Sequence, residues 1–156
     1  MNLRPNAFDV WVYHRTKRGD RYLVLRTSKQ KADKWFHGGC FWQIPSDFVA
    51  KGETIVDAVR RELWRFRLEP ISVYAAEHSY TFFNSRYNDV ILATVFAAEV
   101  ASETEIPLGW EHSAYAWVSA SRASQRVHFR GLKEGLRWVR KYVTETSRPA
   151  RQLQLL

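Results

Sequence analysis

The sequence predicts an α/β fold: a mixed β-sheet covered by helices on both faces, an α/β/α sandwich. Three observations predict it. FDVWVYH at 8–14 alternates, with Phe8, Val10 and Val12 on one face and Asp9, Trp11 and Tyr13 on the other. YLVLR, ending at Arg26, is a continuous apolar run of the buried-strand type. Two helical segments are interleaved with the groups of strands, as layered α/β domains require.

The elements follow in order. A polar turn, RTKRGD, joins the first two strands, and TSKQKADKWFHGGC at 27–40 reads as a long loop of the kind that carries function. FWQI is a short strand closed by Pro45. A helix is expected over 54–67, with Thr54 as N-cap, Asp57 as the capping-box acid, and Ile55, Val59, Leu63 and Phe66 as one apolar stripe. Pro70 stops it. Strands at about 71–83 and 89–100 are joined through NSRYND, an acidic loop covers 101–110, AYAWVS is the last strand, and a final helix runs over 129–145. Residues 1–146 are expected to form one domain and 147–156 a frayed, flexible tail.

Composition bounds the function. Of 156 residues 46% are hydrophobic and 15% aromatic, a globular composition, and the single Cys40 leaves no internal disulfide. The near-apolar run 90–98 is about half of what spans a bilayer, and no apolar centre of a signal peptide opens the chain, so a cytoplasmic protein with no membrane partner is expected. The net charge of +8 comes mostly from arginine, 17 Arg against 7 Lys, which suits phosphate. No run of five basic residues occurs, and they read as scattered. No P-loop is present, and the five histidines lack metal spacing.

The stretch 52-GETIVDAVRRELWRFRLEP-70 carries a family resemblance. It is similar to the Nudix box, G-x5-E-x7-R-E-U-x-E-E-x-G-U, laid from Asp47 to about Glu69. Glu53 and Arg61-Glu62-Leu63 match. Asp47 stands for the opening glycine, Arg65-Phe66 for the E-E pair, and Arg67 or Leu68 for the late glycine. Trp42-Gln43 and Glu111-His112-Ser-Ala-Tyr115-Ala-Trp117 resemble the dATP pyrophosphohydrolase and dihydroneopterin triphosphate pyrophosphatase branch.

The resemblance implies a Nudix fold and hydrolysis of a nucleoside diphosphate-linked or triphosphate substrate with Mg²⁺ or Mn²⁺. It implies Glu62 and Glu111 as catalytic acids and metal ligands with the Ser46 carbonyl, and Glu53–Arg61 as a structural brace. Arg26, Arg65 and Trp42 are expected at the substrate, Arg26 on phosphate and Trp42, with Trp35 and Phe36, on a base. Compensating acids are sought in Asp47, Asp57 and Glu103/Glu105. His112 reads as an ordinary surface or turn histidine, with the positioning of Glu111 as the alternative.

The residues themselves pull the other way. A hard cation wants several oxygen ligands, and the box keeps one carboxylate, Glu62. Arg65, a turn away, either repels a cation, replaces it against phosphate, or pairs with Glu62 or Glu69. The alternatives are a Nudix-fold module that binds a nucleotide or partner without hydrolysis, and a basic RNA-binding module. A monomer or homodimer fits either.

Overall fold

The computed structural model describes residues 1–156. Its centre is β1 (Leu3–Thr16), which runs parallel to β6 (Asp89–Glu99) along one edge. Along the other edge β1 pairs antiparallel first with β4 (Ser46–Phe48) and then with β2 (Gly19–Thr27). β2 also pairs with β3 (Trp42–Gln43) and β7 (His112–Ser119), and β5 (Ser72–Asn84) closes the far edge against β6. The sheet is therefore mixed, as expected.

The alternation of β1 sorts two cores. Phe8, Val10 and Val12 join Val59 and Leu63 of the helix α2 (Ile55–Trp64), and Phe66 of the turn after it, on one face. Trp11 and Tyr13 join Leu132, Leu136 and Val139 on the other. There lie α3 (Ala120–Arg126) and α4 (Arg130–Val139), the latter running on into a π-helical turn, Arg140–Thr144. Burying each large apolar side chain of this kind is worth roughly 1.5–3 kcal/mol. No helix is long and apolar enough to cross a membrane.

Four expectations are corrected. The loop 27–40 holds a helix, α1 (Lys29–Trp35), because Ser28 caps it by accepting from the Lys31 N–H at 3.0 Å and the following Lys-Gln-Lys-Ala favours helix. β4 and α3 were not anticipated; Ser119 caps α3, whose one buried residue, Ala123, leaves no apolar stripe to read. The helix expected to reach 67 ends at Trp64, where the Leu68 N–H bonds the Leu63 carbonyl and Arg67 turns to φ 57°. Arg67 thus holds the left-handed conformation usual for a terminating glycine, at a cost of about 1–2 kcal/mol, while Leu68 is buried in the core.

The fourth is the tail. The Leu155 N–H donates to the Val73 carbonyl at 2.8 Å, the Val73 N–H donates to the Leu156 carbonyl at 3.1 Å, and the Leu156 side chain packs on the α2-side core. The last residues extend the edge of β5 instead of fraying.

One close approach seats α4 on the sheet. A side chain at Gly131 would meet the Tyr80 ring of β5 at 2.1 Å, whereas nothing lies within 4 Å of one at Gly109. Gly131→Ala is expected to lose about 1–3 kcal/mol in urea denaturation, with Gly109→Ala near neutral.

Candidate functional site

A cavity of about 640 Å³ opens beside the stretch where β1 changes partner from β4 to β2. Phe8 and Asp9 of β1, Ser46–Phe48 of β4, Glu62 of α2 and Arg65 at its C-cap line one part. The α1 side contributes Lys31, Trp35 and Phe36, and the β5–β6 hairpin contributes Tyr80, Phe82, Arg86 and Tyr87. Glu111, His112 and the start of α4 complete it.

At its centre an arginine lies between two glutamates. Helical spacing places Arg65 one turn beyond Glu62, and its Nη1 reaches the Glu62 carboxylate at 3.1 Å. Its Nη2 reaches Glu111 Oε1 at 3.4 Å, and Lys31 Nζ holds the other Glu111 oxygen at 3.1 Å. Of the two pairings open to Arg65, Glu62 is taken; Glu69 lies beside Arg60.

Burial raises Glu62 to about 7 in spite of Arg65, whose charge and hydrogen bonds pull the other way. Burial also pushes Glu111 up, but Lys31, by charge and hydrogen bond, and Arg65 bring it below the usual carboxylate range. His112 is buried against the Phe66 ring, with Nε2 3.0 Å from Gln43 Nε2. Burial and the Lys31 charge lower it to about 4, so it stays neutral.

The brace residues meet. Arg61 grips Glu53 through Nε to Oε1 at 2.8 Å and Nη2 to Oε2 at 3.0 Å. The same guanidinium holds Asp47 Oδ2 at 2.7 Å and the Phe48 carbonyl at 3.0 Å, tying β4 to α2. Glu53, which also accepts the Ala50 N–H, is held down at about 2 chiefly by the Arg61 hydrogen bond. Ser46 stands across from Asp9, its Oγ 2.7 Å from Asp9 Oδ1, and the Tyr80 hydroxyl donates to the other Asp9 oxygen. Burial raises Asp9.

Other expected residues lie elsewhere. Arg26 is exposed on β2 and outside the cavity lining. It is cross-strand from Trp42, which packs against the α3–α4 core beneath Arg126. Neighbouring strand residues face opposite sides, so Gln43, not Trp42, reaches the cavity. Asp57 is spent on Thr54, and Glu103 pairs with Arg21. Of the aromatic candidates, Trp35 and Phe36 line the cavity, and Arg86 sits 3.7 Å over the Trp35 ring.

Sequence reading missed Lys31, Arg86 and the Asp9–Tyr80 pair, and took Gln43 only as part of the Trp42-Gln43 segment. The one signal available was the odd polar residue, Asp9, inside an otherwise apolar strand face.

These residues fit a divalent cation poorly. No three of Asp, Glu, His and Cys are grouped as a metal set. The two carboxylates that face each other across the cavity, Glu62 and Glu111, already have a guanidinium between them and an ammonium behind.

Fold and brace together define a Nudix-type domain, and residues 3–139 match the NUDIX domain family model. The chain belongs to the NUDIX domain family. It superposes on a NUDIX hydrolase from Listeria monocytogenes with a TM-score of 0.75 at 18% identity, covering 94% of this chain and 99% of that one. For the E. coli dihydroneopterin triphosphate pyrophosphohydrolase the TM-score is 0.67 at 20% identity, over 92% and 97%. For the NUDIX domain of Shewanella oneidensis NrtR, solved with ADP-ribose, it is 0.68 at 14%, over 90% and 89%. At such identities the likeness is one of fold.

Over 117 residues, 73% of this chain, it is 28% identical to an octanoyltransferase from Myxococcus xanthus, and spans 30% of that protein's length.

The two shifted groups act on stability in opposite senses. Glu62, raised from 4.5 to about 7, contributes stability that is complete below pH 4.5 and lost as pH rises through about 7. His112, lowered from 6.5 to about 4, contributes stability present above pH 6.5 and lost as pH falls through about 4. Between pH 4.5 and 6.5 they offset each other. Glu62→Gln is expected to leave stability rising with pH there, and His112→Gln to leave it falling, by up to about 1.4 kcal/mol per pH unit in urea melts.

Proposed function

We propose that this chain is a Nudix-fold module that binds a nucleotide-type phosphate ligand and hydrolyses it slowly or not at all. The observation that carries this reading is Arg65 held between Glu62 and Glu111 with Lys31 behind. In a metal-dependent hydrolase those two acids would gather Mg²⁺ or Mn²⁺, and the cation would polarise the phosphates. Here the positive charge is built in. Arg65 and Lys31 stand where an anionic ligand needs it, and guanidinium donors match phosphate oxygens in geometry.

Burial of Glu62 and the short reach of Arg65 keep that charge in place without a bound ion. The aromatic wall of Trp35, Phe36 and Tyr87 offers rings to a base or ribose, and Arg86 over Trp35 brings a second cation to the mouth. The NrtR domain of the same fold, solved with ADP-ribose, makes that molecule a reasonable first ligand.

Calorimetric titration with ADP-ribose and a dNTP panel in EDTA tests this. The parent is expected to bind, and Arg65→Ala to bind about tenfold or more weakly, the effect of removing a charge-assisted contact. Equal affinity in the two, or rapid Mg²⁺-dependent turnover by the parent that Glu62→Gln abolishes, would refute it. Arg65→Glu, which returns a carboxylate beside Glu62, is expected to gain Mg²⁺-dependent release of phosphate or nucleotide.

A further inference from the structure

The chain's net charge has a location. Residues 120–156 hold nine of the 24 Lys and Arg and two of the 16 Asp and Glu, so they carry +7 of the total +8. Residues 120–146, with seven of these cations and both acids, form the α3–α4 layer and the π-helical turn on the opposite side of the sheet from α2, while the tail runs along the β5 edge.

Within this layer the cations are ordered. At 3.6 residues per turn, Lys133, Arg137, Arg140 and Lys141 fall on one stripe, and all four line a groove of about 460 Å³ between α3 and α4. Lys133 and Arg137, and Arg137 and Lys141, are like-charged pairs four residues apart, an arrangement that destabilises a helix. The two acids do little to relieve it: Glu134 pairs with Arg130, and Glu145 with Arg140. The helix dipole favours a cation in the last turn, but not four along one stripe. Arg137 and Lys141 have no carboxylate partner and are exposed.

A second stripe is aromatic. Trp138 and Tyr142 stack at 5.6 Å and 13°, with Lys141 over both rings and Arg137 over Trp138. Behind Trp138 the rings continue through His78 at 6.0 Å and then Tyr80 at 6.2 Å, which fixes the indole in place.

We infer that the α4 face is a docking surface for single-stranded nucleic acid, with phosphates on the exposed Arg137 and Lys141 and a base on Tyr142, whose ring is backed by Trp138; Lys133 is held by the Ser124 carbonyl. Cations without carboxylate partners beside an exposed aromatic ring, Tyr142, are what a single strand offers partners for: a regular anionic backbone and unstacked bases. A duplex hides its base faces, so the aromatic stripe would add nothing to duplex affinity. A membrane surface would call for exposed aliphatic side chains beside the cations, and the buried Leu132, Leu136 and Val139 leave none on this face. The surface is independent of the cavity ligand proposed above, since the groove and the cavity share no lining cation.

Fluorescence anisotropy with a labelled single strand of about 12 nucleotides tests it. Binding is expected to weaken steeply between about 50 and 200 mM salt. In Arg137→Ala/Lys141→Ala the slope of log affinity against log salt is expected to fall by about 1.4, two phosphate contacts' worth. Tyr142→Ala is expected to weaken binding about 5-fold or more, and Arg18→Ala, an exposed cation in the β1–β2 turn, to leave it unchanged. Arg65→Ala should bind the strand as the parent does, which separates this test from that of the cavity. Thermal melts confirm that each surface variant is folded.

Absence of binding at the lowest salt, or equal losses in the double variant and Arg18→Ala, would overturn the inference. So would a matching duplex bound as tightly as the single strand, or preferential binding to phosphatidylserine vesicles that the double variant abolishes.

Discussion

The arrangement of this molecule's cavity depends on one ion cluster. Glu62 is buried, and a buried carboxylate needs a partner or a proton. Arg65 supplies the partner from the same helix, and by reaching Glu111 it also ties α2 to the segment that enters β7. Lys31 extends the cluster to α1. Three separate pieces of chain are thus fixed relative to one another by a guanidinium and an ammonium. Removing one member of such a cluster leaves a buried charge without compensation, which is why these positions constrain one another so strongly.

The brace is a separate device. Arg61 serves Glu53, Asp47 and the Phe48 carbonyl at once, so β4 and the turn before α2 stay in register with the helix whatever occupies the cavity. Beyond Glu62 the same stretch carries a fixed cation, Arg65, and a core phenylalanine, Phe66.

Much of the frame was legible because it is periodic. The two-residue alternation at 8–14 sorted both cores correctly, and the stripe through Val59, Leu63 and Phe66 gave α2 its buried face. Short helices were not legible. α1 and α3 are seven residues long, each with a single buried alanine, too few apolar positions to define a period. Strand parity misled the reading at Trp42, where the neighbouring Gln43 takes the cavity side. Lys31 was hidden because its value depends on α1 existing at all. The basic surface was hidden for a related reason: cations three and four residues apart look dispersed along a line and converge only when the line is wound into α4.

Tyr80 belongs to two of these systems. Its hydroxyl donates to Asp9 in the cavity wall, and its ring is the buttress, through His78, of the indole on the basic face. Gly131 leaves it no room to move toward α4. The cavity wall and the support of that indole therefore rest on one side chain, so the two faces of the sheet cannot be repacked at Tyr80 independently of each other.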